Sequence, residues 1–277
     1  MARNVIRRKP TEAKSDQIAE PRDSGVQSVD RALLIIETLA DDDDGYRLSD
    51  LAVRTGLSTS TAHRLLTTLE KRRFVQFDST CSKWHVGSQS FAVGATFTRR
   101  RNFVAQAIPY LRKLRDQTRE TANLTVVDDE AIIVLTRAES REIMRSLTKV
   151  GGRVAMVASG VGKAVLATYS DEDVNAIIRH HGMPRLTEKS IVRPGDLFRE
   201  LEKIRRQGFA VDDEEACMGL RCIAAVVFND CSEPLAAISV SGMTSRITDD
   251  RLPLLGHFVR NAAEELTLAL GGVMPNG

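Results

Sequence analysis

Two short stretches of the 277-residue chain carry side chains at spacings that could do chemistry. In Thr59-Ser-Thr-Ala-His-Arg-Leu-Leu-Thr-Thr-Leu69, the residues Ala62, Leu65, Leu66 and Leu69 recur at helical steps as an inward stripe. Ser60, His63, Arg64 and Thr67 then share the opposite side. Arg64 can grip guanine O6 and N7 with two parallel hydrogen bonds, or clamp a phosphate. Ser58, Thr59, Ser60 and Thr61 place small hydroxyls at the helix start, where unsatisfied amides favour an anion. His63 is either a base contact or a surface residue that happens to share the phase. The whole stretch, taken alone, also fits an ordinary amphipathic helix with a solvated face.

The second stretch, Ser159-Gly-Val-Gly-Lys163, precedes a helix whose amides and dipole could hold a carboxylate. The plainer alternative is a tight strand-to-helix turn. It is not a phosphate-binding P-loop, which needs Gly where Val157 stands and Ser or Thr where Ala164 stands. Further along, Ser239 and Ser241 alternate in an apolar strand, so both hydroxyls point to one face, either into a pocket or to neighbouring backbone. Cys222 is buried filler or a pocket-lining residue; as a nucleophile it would need a base beside it. None of the five histidines, His63, His85, His180, His181 and His257, lies in these pocket motifs. Asp212-Asp-Glu-Glu215 reads as a polar turn rather than a metal site. Cys81, Cys217, Cys222 and Cys231 form no CxxC pair and no Cys/His metal pattern, so no metal and no cofactor is expected.

These residues need elements to position them. Val26, Val29, Leu33, Ile36 and Ala40 mark the inward face of a first helix, closed by Asp41–Asp44 and Gly45. A short second helix has Ser49 as N-cap, Leu51 and Ala52 inward, and Gly56 at its end. The third helix is capped by Ser58. Two strand-like runs, Phe74 to Phe77 and Lys83 to Val86, flank a turn over Asp78–Ser82. Trp84, the only tryptophan, belongs in the core of this hairpin, and Lys83 is a phosphate-contact candidate beside it. Three helices and a hairpin in this order are a winged helix-turn-helix.

A linker helix follows, with breaks expected near residues 99–102 and at Pro109. Strands are expected over 123–127, 131–137, 222–228 and 235–241, and helices over 162–168, 171–180 and 197–207. A final helix buries Leu255, Phe258, Val259, Ala262 and Leu266. The fold class is α+β: an N-terminal winged helix-turn-helix, a linker helix, and a C-terminal antiparallel sheet flanked by helices. The boundaries are a disordered tail over 1–24, the winged domain over 25–87, the linker over 88–101, and the second domain over 102–277.

Composition bounds the function. Thirty-nine Lys and Arg against 37 Asp and Glu rule out a polybasic coat, but not a local basic surface. Residues 1–100 hold 16 basic and 13 acidic side chains, and the remaining 177 hold 23 and 24. The tail's Arg7-Arg8-Lys9 could brush a phosphate backbone or stay idle. No apolar run reaches the ~18 residues of a membrane span, and the start has no apolar stretch of a secretory signal. A reducing cytoplasm is the expected location, and few aromatics argue against single-strand binding.

The strings Gln27-Ser-Val-Asp-Arg-Ala32, Thr61 to Leu69, Ala158 to Ala164, Asp212 to Glu215, Gly219 to Ala225, Ala236 to Gly242 and Ser245 to Arg251 carry a resemblance. Over nearly all of residues 25–272 the chain resembles the IclR-family transcriptional regulators, nearest to the repressors of the glyoxylate bypass (acetate operon) and the allantoin pathway. The resemblance implies a GAF-like effector domain, homodimers or tetramers, and palindromic double-stranded operators. It also implies a small organic acid or related carbonyl effector. Carried over residue by residue, the pocket comprises Gly160, Val161, Asp212, Leu220, Cys222, Ser239 and Ser241, with Ile143 and Ser146 as the facing wall. Ser146 replaces an apolar residue, Ala155-Met-Val157 replaces a Pro-x-His run, and Ala216 stands where a His often follows Glu-Glu. These departures suit a more polar effector and remove a zinc site from the pocket. The reading is an effector-responsive repressor of a small-organic-acid catabolic operon. Its rivals are a Cys222-dependent enzyme acting on a small carbonyl compound, and a winged helix used for protein contacts.

Overall fold

The computed structural model describes residues 25–99, 101, 103–128, 131–140 and 149–275. The tail expected over 1–24, and the facing wall of Ile143 and Ser146, lie outside these residues. The chain divides into two compact units after Thr96.

In the first unit, helices α1 (Gln27–Ala40), α2 (Leu48–Thr55) and α3 (Thr59–Lys71) precede a hairpin of β1 (Val75–Asp78) and β2 (Lys83–Val86). Their shared core is Ile35, Leu39, Tyr46, Leu51, Leu66, Val75 and Trp84. Trp84 is buried and bridges the Tyr46 backbone, which ties the hairpin to the loop after α1. The αL residue Gly56 closes α2, and the Ser58 hydroxyl accepts from the Thr61 amide to start α3, at 3.2 Å. Two expectations fail here. Ser49 lies inside α2, whose N-cap position is Arg47 with no side-chain cap. The buried stripe of α1 runs through Ile35 and Leu39, while Val26, Val29, Leu33 and Ala40 face outward. Four consecutive apolar residues, Leu33 to Ile36, make the phase ambiguous from sequence, and packing on α2 and α3 chooses the face one residue round.

Helix α4 (Ser88–Arg99) contains the division between the units and has no buried residue. In the second unit, α5 (Phe103–Thr118) continues through Pro109, which does not break it. Proline removes one backbone donor, and the burial of Ala107, Leu111 and Leu114 around it holds the helix together. The sheet is antiparallel with six strands: β3 (Thr121–Asp128), β4 (Ala131–Ala138), β5 (Arg153–Val154), β6 (Ala210–Asp213), β7 (Leu220–Phe228) and β8 (Pro234–Met243). Their order is β5-β4-β3-β8-β7-β6. The edge strands β5 and β6 were absent from the sequence expectation; at two and four residues they are too short to show periodicity.

Strand alternation sorts the two faces. Leu124, Ile223, Ala225, Ile238 and Val240 point to a core shared with α5 and with α9 (Leu252–Ala269). Ala224, Val226 and Ala237 point to a second core with α6 (Gly160–Leu166), α7 (Asp171–His181) and α8 (Pro194–Gln207). Pro253 sits in the first turn of α9, as its missing amide donor requires.

Candidate functional site

The α3 face develops as its spacing predicts. Ala62 and Leu66 are buried, and Ser58, Thr59, Ser60, His63 and Arg64 are exposed. Thr61 is partly buried and supplies the amide to the Ser58 cap. Thr67 is also partly buried, and its hydroxyl donates to the His63 carbonyl at 2.9 Å, so it is committed to its own helix. Arg72 and Arg73 are exposed just beyond α3, and Lys83 is half-buried at the base of the hairpin turn. Exposed cations thus stand in the middle of α3 at Arg64 and beyond its end at Arg72 and Arg73, while the hydroxyls of Ser58, Ser60 and Thr61 bond one another at its start.

On the second unit's sheet, the face carrying α6 gives way to a cavity of about 240 Å³. Its floor is polar because the alternating residues there are Asn123 and Thr125 of β3 and Ser239 and Ser241 of β8. Asn123 Nδ2 donates toward Ser241 Oγ at 3.3 Å and Ser239 Oγ at 3.5 Å. Val161, Asp212, Leu220 and Cys222 complete the predicted set that lines it. Gly160 is not among the lining residues; it packs against β7, where a Cβ would sit 3.0 Å from the Cys222 carbonyl oxygen. Asn123, Thr125, Arg153 and Leu186 also line the cavity and were not expected from sequence. The period-two placement of Asn123 and Thr125 in an apolar strand is the same signal that exposed the two serines. Arg153 stands exposed at this cavity.

The loop before α6 is a capped turn that also brings Ser159 and Val161 to the cavity. Ser159 Oγ accepts from the Gly162 amide at 3.0 Å and donates to the Ala155 carbonyl at 2.6 Å. A Cβ on Gly162 would fall 1.9 Å from the Met156 carbonyl oxygen, so the turn requires glycine there. Lys163 is fully buried and bonds the Glu215 carboxylate and, at 2.7 Å, the Val211 carbonyl.

Asp212-Asp-Glu-Glu215 is not a turn throughout: Asp212 and Asp213 belong to β6. Three of the four carboxylates meet cations, two of them sharing Lys189. Glu215 meets Lys163, Glu214 meets Lys189, and Asp213 meets Lys189 and Arg221. Asp212 accepts the Glu215 amide at 2.7 Å and faces the cavity. Burial, reinforced by the neighbouring Glu215, pushes its carboxyl up from 3.8 to about 6. Burial and the Asp212 charge push the Cys222 thiol up to about 11. It is a neutral thiol at physiological pH, and no histidine among the described residues lines the cavity to activate it.

Two family models cover these two units. The IclR helix-turn-helix domain matches residues 28–79, and the C-terminal domain of the bacterial transcriptional regulator IclR matches residues 95–268. The chain belongs to the IclR family. It is 40% identical to the transcriptional repressor IclR of Escherichia coli K12 over 255 residues, which covers 91% of this chain and 93% of that one. It is 41% identical to the acetate operon repressor of Salmonella typhimurium over 249 residues, 89% and 91% of the two chains. To the repressor AllR of Escherichia coli it is 32% identical, over 96% and 97%. Among solved structures, IclR of Thermotoga maritima superposes with a TM-score of 0.73 at 25% identity, covering 88% of this chain and 99% of that one. An IclR homologue from Microbacterium hydrocarbonoxydans, complexed with 4-hydroxybenzoate, shares the fold with a TM-score of 0.74 at 22% identity, over 88% and 98%. This IclR-family chain is a DNA-binding transcriptional regulator, and neither the family nor these relatives are enzymes. No helix among the described residues is long and apolar enough to cross a membrane.

Proposed function

We propose that the chain is a cytoplasmic repressor of a small-organic-acid catabolic operon. It reads a palindromic operator as a homodimer or a pair of dimers and responds to an acid or carbonyl effector. Residues 25–87 are the reader, 88–101 the connecting helix and 102–277 the sensor. Arg64 makes the specific base contact, and Lys83 and the hydroxyls at Ser58–Thr61 hold phosphate.

The observation that carries the effector reading is the polar floor of the cavity. Asn123, Thr125, Ser239 and Ser241 interrupt an otherwise apolar sheet face with polar side chains that bond one another or the Ala237 carbonyl at the cavity floor. Their hydroxyl and amide groups have further donor and acceptor sites for polar ligand atoms, and Arg153 at the same cavity offers a cation to a carboxylate. Asp212, its carboxyl pushed up to about 6 by burial, opposes that carboxylate less than an ordinary aspartate would. Assembly is supported by exposed apolar residues: Val26 just before α1, Val29 and Leu33 on α1, and Phe91 and Val93 on α4. A thermal-shift screen of glyoxylate, pyruvate, semialdehydes and small aromatic acids tests the sensor. One of them raises the melting temperature of the wild type and fails to do so in Ser239→Ala/Ser241→Ala. Equal stabilisation of both proteins contradicts the assignment.

A further inference from the structure

The outer face of the hairpin gathers three side chains that DNA reading does not require. In the β1–β2 register Gln76 stands opposite His85 and Asp78 opposite Lys83, while Phe77 and Trp84 pair on the core side. Alternation therefore places Asp78 and His85 on the side away from the core. The turn, in which the Asp78 carboxylate accepts the Thr80 amide at 2.8 Å, brings Cys81 back to them. One ligand atom from each of Asp78, Cys81 and His85 lies within 4.8 Å of the others.

We propose that Asp78, Cys81 and His85 bind a transition-metal dication of the zinc class, with water in the fourth position. The donor set selects the ion. Sulfur and imidazole nitrogen suit zinc, whereas magnesium and calcium take oxygen ligands. Around a tetrahedral zinc with bonds of ~2.0–2.3 Å, ligand atoms stand about 3.3–3.8 Å apart. The turn must draw in by about an ångström, which exposed side chains on a short hairpin achieve by rotation.

The imidazole is already seated. A Cβ on Gly45 would meet His85 Cε1 at 2.5 Å and Nδ1 at 2.6 Å, so the ring lies directly over that glycine. Gly45 has φ of +67°, which glycine alone adopts freely, and the Asp41–Asp44 run leads into it. Those carboxylates add negative potential beside the cluster. On binding, the Cys81 thiol gives its proton to solvent, and the dication offsets both thiolate and carboxylate. The outer face of the wing then loses its net negative charge next to Lys83.

The test uses the full-length chain, stripped with a chelator under reducing conditions and titrated with Co2+. One equivalent gives a sulfur-to-cobalt charge-transfer band and the strong visible bands of a tetrahedral ion, and added Zn2+ removes both. Because Trp84 is the only tryptophan, its quenching by Co2+ places the ion on the wing. Cys81→Ser abolishes the charge-transfer band, and His85→Ala and Asp78→Asn each weaken binding roughly tenfold or more. Cys217→Ser and Cys231→Ser, with circular dichroism as a fold check, leave the signal unchanged. A wild type without the band, a band that survives Cys81→Ser, or Trp84 left unquenched overturns the proposal.

Discussion

Asp212 shows how one side chain ties ligand chemistry to stability. Its carboxyl is raised from 3.8 to about 6, first by burial and then by Glu215. The folded state therefore holds a proton that the unfolded chain releases at lower pH. Stability from this group is complete below about pH 4 and declines as pH rises through 6. Asp212→Asn keeps an oxygen for the Glu215 amide and removes the charge. Its thermal unfolding between pH 4 and 7 should show a flatter profile than wild type and a higher midpoint at neutral pH. An unchanged profile would mean that the carboxylate is stably ionised in the fold. At the same scale, Cys222 needs no base because it performs no chemistry; its high pKa belongs to a pocket wall.

Among the elements, the join between α6 and β6 matters most for the cavity. Lys163 reaches across it to Glu215 and the Val211 carbonyl with no exposure to solvent. Removing one partner of a buried pair leaves the other charge stranded, at a cost of about 3–5 kcal/mol. Lys163→Met should lose that much in denaturant unfolding, and Lys163→Met/Glu215→Leu should recover most of it, because a well-packed apolar pair replaces the ions at little net cost. Equal losses in both variants would contradict the charge argument. Much of this element-level order was legible in the chain itself. The Ser58 cap, Gly56, the Leu66 stripe and the two sheet serines announced α3 and β8 through spacing and cap chemistry. The phase of α1 was not, because an unbroken run of four apolar residues fits two faces. Asn123 and Thr125 carried the same period-two signal as the serines, Arg153 needed the fold to join the pocket, and Asp78, Cys81 and His85 needed the hairpin, since their mixed spacing matches no metal motif. Pro109 misled because burial on both sides outweighs one missing hydrogen bond.

For the whole molecule, the account requires two units that work as one regulator and more than one copy of the chain. Val29, Leu33, Phe91 and Val93 stay exposed in a single chain, and covering them is favourable by roughly 25 cal/mol per Å². Leu33→Glu/Phe91→Glu should shift the chain toward monomer in sedimentation velocity and cost operator affinity, while the isolated sensor fold stays intact. A variant that sediments as wild type would place the assembly surface elsewhere. The net charge of +2 gives little nonspecific attraction, so affinity must come from specific contacts. A coupling of about 1–2 kcal/mol between sensor and reader suffices for roughly tenfold control of operator binding. The most direct measurement is a fluorescence-anisotropy titration of the full-length chain on DNA from its own upstream region, with wild type and Arg64→Ala, each with and without the stabilising acid. Tight binding that Arg64→Ala weakens by about 1–3 kcal/mol, and that the acid shifts in the wild type, is the predicted result. Operator affinity indifferent to both Arg64→Ala and the acid would contradict the account.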